Sequence, residues 1–163
     1  MDDLSIHLRR RLEHARRIAI VGIGDELSPL DRLGMIAARA IETIKLPGIR
    51  VFFAGTVPES ITGPLRKFGP DHVILLDAAD MGVLPGTILV IDPDQISASL
   101  LSTHVLPLSV VMEFIETDSQ TKVILLGIQP DMNNPEHGLS GEEEEFMTEN
   151  IHALSGLLRD ICR

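Results

Sequence analysis

The stretch HVILLDAADMGVLPGTILVI, residues 72–91, decides the fold. It holds two apolar runs, 72–76 and 87–91, each continuous rather than alternating. Such runs mark strands covered on both faces of a sheet. Only a short turn at 81–86 separates the second strand from the end of the first. A parallel crossover needs a dozen residues or more, so the second strand runs antiparallel to the first. Working outward, 18–23 (IAIVGI), 50–55 (RVFFAG) and 122–127 (KVILLG) read as three further strands. Helical signals fill the intervals. Leu4, Leu8, Leu12 and Ala15 recur at helical spacing behind the cap candidates Asp2 and Asp3. Leu33, Ala37, Ala40 and Ile44 line a helix over 32–45 that Pro47-Gly48 stops. A short helix follows Val57-Pro58 and ends near Gly69-Pro70, and another covers 106–116 with Pro107 in its first turn. Met147, Ile151, Leu154, Leu158 and Ile161 stripe a last helix, opened by a capping box of Ser140 and Glu143. The expectation is an α/β fold of three layers: a five-stranded, mostly parallel mixed sheet with helices on both faces. Residues 1–163 are expected to form one domain, with 1–17 as a helical extension ahead of the first strand.

Composition narrows the function. Of 163 residues, 44% are hydrophobic, yet there is no Trp, no Tyr and only five Phe. The core is therefore aliphatic and offers little for stacking bases or sugars. A net charge of −10 repels nucleic acid and anionic membrane, so neither is an expected partner. The charge is uneven: Arg9, Arg10, Arg11, Arg16 and Arg17 crowd the start and Glu142, Glu143, Glu144 and Glu145 the end, which reads as two solvated helix faces. One cysteine, Cys162, excludes an internal disulfide framework and a multi-cysteine zinc site. The start MDDLSIHLRR lacks a signal-peptide core, and no apolar run reaches the ~20 residues that span a bilayer. The expected location is the cytoplasm.

Three isolated polar residues carry the chemistry. Asp31 stands at the mouth of the second helix, Asp77 at the end of the 72–77 strand, and His104 between Ser102-Thr103 and the next helix. In an open α/β sheet, ligands bind in the crevice at the carboxyl ends of the strands. Two carboxylates and an imidazole gathered there make a three-ligand metal site with open positions, and the O/O/N set suits nickel or zinc better than copper(I) or an iron–sulfur cluster. Each residue also has a plainer reading. Asp31 serves equally as a helix N-cap, Asp77 as an acceptor for loop amides, and His104 as a partner for a backbone carbonyl. The other histidines, His7, His14, His72, His137 and His152, read as solvated or helix-edge residues.

Competing chemistries lack their motifs. The turn Gly22-Ile-Gly24-Asp-Glu-Leu27 misses the third glycine of a dinucleotide fingerprint, and Asp25 and Glu26 would oppose a pyrophosphate. There is no G-x-x-x-x-G-K-[ST] loop and no G-x-S-x-G elbow, and Cys162 sits next to the C-terminal residue.

At these residues the chain resembles the hydrogenase maturation endopeptidases, most closely the branch serving the formate-hydrogenlyase-type hydrogenase 3. The family motif G-N-x-x-x-x-D-D-G-x-G falls on Gly24-Asp25-Glu-Leu-Ser-Pro-Leu30-Asp31-Arg32-Leu33-Gly34. The segments LDAADMG at 76–82, IDPD at 91–94, STHVLPL at 102–108 and LGIQP at 126–130 follow in family order. The resemblance spans roughly 18–160 and implies that Asp31, Asp77 and His104 are both the catalytic set and the metal ligands. It further implies an endopeptidase that removes the C-terminal extension of a NiFe-hydrogenase large-subunit precursor after nickel insertion. Nickel would be delivered by that substrate, with no organic cofactor. Four positions depart from the motif: Asp25 for asparagine, Pro29 for glycine, Leu30 for the first aspartate and Arg32 for glycine. They bear on loop shape and on the choice of precursor. Two alternatives stand beside this reading, a noncatalytic nickel-binding maturation chaperone and a small-molecule hydrolase or phosphorylase on the same scaffold.

Overall fold

The computed structural model describes residues 3–95 and 107–163. Five strands form one sheet: β1 (Ile18–Ile23), β2 (Ile49–Gly55), β3 (His72–Ala78), β4 (Ile88–Ile91) and β5 (Lys122–Ile128). Their order is β2-β1-β3-β5-β4. The strands β2, β1, β3 and β5 run parallel, in the register Ile18↔Ile49, Ile18↔His72 and His72↔Lys122. β4 is antiparallel, with Ile88↔Ile128 and Ile91↔Leu125. The reversal expected from the short 81–86 turn is present, but β3 and β4 are not neighbours. β5 lies between them, because a buried apolar run such as VILLGI gains most in the middle of the sheet.

Alternation along the strands builds two cores. Ile18, Ile20, Ile74, Leu76, Ile124 and Leu126 face one side, packed by α1 (Asp3–Arg11), α2 (Leu33–Ile44) and α5 (Gly141–Ile161). Ala19, Val21, Val73, Leu75, Val123 and Leu125 face the other, packed by α3 (Thr62–Phe68) and α4 (Leu108–Ser119). Three layers result. Leu8 of α1 and Leu12 just after it are fully buried in the first core, so the opening helix is built into the body of the protein.

Several local signals act as read. Ser140 accepts the Glu143 N–H, and the Glu143 carboxylate takes the Ser140 N–H at 2.8 Å, so the capping box closes. Others shift. α2 ends at Ile44, before Pro47, because Lys45 takes a left-handed conformation (φ 56°) as its C-cap. Pro107 is extended at the N-cap of α4 rather than within its first turn, and α4 runs on to Ser119. Asp3 lies in the first turn of α1, while Asp2 lies outside the described residues. His72 departs most. It is only 6% exposed, with Nδ1 bonded to the Asp71 carboxylate at 3.0 Å.

Candidate metal-binding and catalytic site

The carboxyl ends of β1 and β3 are adjacent, with Gly22 in register with Leu76. From the end of β1 the chain turns through Gly24, whose φ of 132° is open to glycine and strained for any L side chain. Tight contact also demands glycine there, since a Cβ would collide with the Asp31 carbonyl oxygen. The loop from 25 to 31 is thus folded back against its own start. Asp25 donates its N–H to Asp31 Oδ2 at 2.9 Å, while its own carboxylate accepts from Leu27 N at 2.9 Å. Glu26 pairs with Arg39 and ties the loop to the flank of α2.

Asp31 does not cap α2. Arg32 holds the N-cap position and makes no side-chain cap bond. The half-buried Asp31 carboxylate instead closes the loop, at the rim of the sheet. Asp77 lies one residue from the end of β3, fully buried and in register with Gly127 of β5. Its Oδ1 accepts the Ala78 N–H at 2.9 Å. A carboxylate buried at the ligand-binding edge of the sheet makes Asp77 a candidate site residue.

Both aspartates therefore stand at the same sheet edge. The third residue, His104, lies in the 96–106 segment, outside the described residues. Among the described residues no group of three His, Cys, Asp or Glu side chains is placed to hold a metal ion.

Gln129, which the sequence shows only as part of a motif, shapes the site's rim. It is 3% exposed, accepts the Met81 N–H at 2.6 Å, and donates to Asp80 Oδ1 at 3.2 Å and the Pro130 carbonyl at 3.1 Å. One side chain thereby fixes the segment directly after Asp77. The signal for it is a glutamine ending an otherwise apolar strand. Asp25, a departure from the motif's asparagine, holds Asp31 through its backbone. Arg32, another departure, extends along the loop before α5, where a Cβ on Gly138 would lie 3.2 Å from its Nη2.

Cys162 stands elsewhere. It follows α5 at the opposite, amino edge of the sheet, beside Gly48. Burial and then the negative Asp71 push its thiol up, away from the nucleophilic thiolate.

A family model described as HycI hydrogenase maturation protease matches residues 36–155. The chain belongs to this hydrogenase maturation protease family. It is 32% identical to the hydrogenase 3 maturation protease of Escherichia coli strain K12 over 111 residues, 68% of this chain and 70% of that one. It is 31% identical to a Methanocaldococcus jannaschii homologue over 128 residues, 74% of this chain and 76% of the other. The crystal structure of the [NiFe] hydrogenase maturation protease HycI from Thermococcus kodakarensis superposes with a TM-score of 0.79 at 27% identity, covering 94% of this chain and 99% of that one. The protein is accordingly a peptidase of this family, built on a mixed five-stranded sheet. Among its described residues no helix is long and apolar enough to cross a membrane.

Proposed function

We propose that this protein removes the C-terminal extension from a NiFe-hydrogenase large-subunit precursor in the cytoplasm, once nickel has been inserted. In this reading Asp31, Asp77 and His104 grip the nickel that the precursor carries, and so bring the scissile bond beside it. The observation that carries the proposal is the pair of aspartates at the carboxyl edge. Asp31 is locked by the Asp25 amide and Asp77 is buried at the end of β3. Family membership supports the substrate class.

The chemistry is coherent. A metal polarises a carbonyl and acidifies a bound water, so cleavage needs no serine or cysteine nucleophile. Two carboxylates and a histidine hold a bare peptide poorly, whereas a metal shared between enzyme and substrate adds coordination bonds at the cut. Selectivity for the nickel-loaded precursor follows. Matched nickel-loaded and metal-free precursors are incubated with the enzyme and weighed by mass spectrometry. Loss of the extension from the loaded form alone is expected. Equal cleavage of both overturns the nickel-gripping role, and cleavage of neither favours a chaperone.

A further inference from the structure

The two edges of the sheet are treated differently. β4 is four residues long and is covered by α1, with Leu4 and Ser5 beside Ile88 and Leu89. β2 is seven residues long and ends the sheet on the other side. Its ladder to β1 uses one alternate set of backbone groups, marked by Ile18 N–H to Gly48 C=O at 2.9 Å. The other set, at Val51 and Phe53, faces away from β1 and finds no partner among the described residues. Natural edge strands are blunted by proline, inward charge or brevity. IRVFFAG has no proline, and its single charge is Arg50, near its start. A row of outward N–H and C=O groups on half-buried Val51 and Phe53 is chemistry for an extended main chain.

Position and charge identify the occupant. β2 runs toward the site: the Gly55 carbonyl accepts the Gly24 N–H at 2.8 Å, and Gly24 abuts Asp31. A Cβ on Gly55 would meet nothing within 4 Å, so the path there is open. At the far end a groove of about 310 Å³ runs between α2 and β2, lined by Ile41, Glu42, Lys45, Leu46, Arg50 and Val51. Lys45 and Arg50 have no carboxylate partner among the described residues. Arg50 lies over the rings of Phe52 and Phe68 instead.

We propose that the free edge of β2 binds an extended, acidic segment of the precursor by β-strand addition and guides it along β2 to the carboxyl edge. The proposal rests on the peptidase reading for the identity of the peptide. Hydrogen exchange on the full chain tests it without any variant. Adding nickel-loaded precursor should slow exchange at Val51 and Phe53 at least tenfold, with Phe52, already bonded into the ladder, little changed. Val51→Pro removes one outward donor and Arg50→Glu reverses the charge. Each should raise KM for the precursor at least fivefold with kcat nearly unchanged. Unprotected amides, or a wild-type KM in both folded variants, overturn the docking proposal even if cleavage is robust. Protection without cleavage upholds docking and sinks the peptidase reading instead. Protection in the absence of precursor, together with a dimeric mass, assigns the edge to a second copy and overturns the proposal.

Discussion

Gly34 lies so close to Leu76 that a β-carbon on it would collide with the Leu76 carbonyl oxygen. The first turn of α2 is thus seated on the backbone immediately before Asp77. Asp31 lies one turn earlier in the same chain. This contact couples the helix that follows one aspartate to the strand that carries the other. The Ile23 carbonyl oxygen would meet the same notional β-carbon, so β1 reaches the helix at the same point.

Gly34→Ala should therefore damage stability and activity together. The obstructing atoms are main-chain carbonyls of two strands, which cannot rotate aside as a side chain would. Overpacking of this kind costs about 3 kcal/mol. Urea unfolding should show that loss, and precursor cleavage should fall with it. Unchanged stability would mean that α2 is free to slide off the sheet edge.

Asp31→Asn and Asp77→Asn separate charge from shape. In the first variant the side-chain amide oxygen still accepts the Asp25 N–H, so the loop should persist. In the second it likewise retains an acceptor for the Ala78 N–H. Each variant should keep a wild-type circular dichroism spectrum yet lose cleavage on the order of a hundredfold, as expected when a charged donor to a metal is replaced by a neutral one. Wild-type cleavage by either would return that aspartate to a purely structural role.

Most of the architecture is legible in the sequence because its signals are local. The apolar runs at 18–23, 72–76 and 122–127 need burial on both faces, and that alone puts them in the middle of a sheet. The short 81–86 turn dictates reversal but not adjacency. Which strand lies beside which depends on long-range packing, so the insertion of β5 between β3 and β4 leaves no local mark. His72 reads wrongly for a similar reason. Its burial depends on Asp71 and on the backbone before β1, which only tertiary structure brings together. At the site, Asp77 is visible as a lone polar residue at the end of an apolar run, and Asp31 as a polar residue at the mouth of a helix. The N-cap alternative for Asp31 has the same sequence signature, and the Asp25 N–H decides against it.

Asp71 supplies a pH-dependent clasp at the other edge. Its carboxylate accepts from Arg16 N at 2.9 Å and Arg17 N at 3.1 Å and pairs with His72. Desolvation pulls its pKa upward, but the His72 bond, the two amides and the His72 charge together bring it below the ordinary value. A carboxylate lowered on folding stabilises the protein above its unfolded value, roughly pH 4, and loses that contribution as pH falls through the folded value. Asp71→Asn should cost about 1 kcal/mol at neutral pH, discounted for a half-exposed group. The gap between variant and wild type should close below pH 4 in urea titrations. A gap that persists in acid would place the clasp's strength in shape rather than charge.

Gln129 offers the sharpest test of how the rim is held. Truncation to alanine leaves the Met81 N–H without its acceptor and takes from Asp80 one of its two donors, the Gly82 N–H remaining, at a cost of about 2 kcal/mol. Gln129→Glu keeps the acceptor for Met81 but sets a buried carboxylate against Asp80. At neutral pH this variant should be at least as unstable as the alanine one. Its new carboxyl is raised above the usual range by burial and by the Asp80 charge, so the folded state binds the proton more tightly than the unfolded chain does. Stability must then rise as pH falls toward the unfolded value, and the protonated acid regains a donor for Asp80. The alanine variant has no such group and should show no extra gain. Stability curves for the two variants from pH 8 to pH 4.5 should converge or cross. Parallel curves would show that the 80–86 segment is not held through the Gln129 side chain.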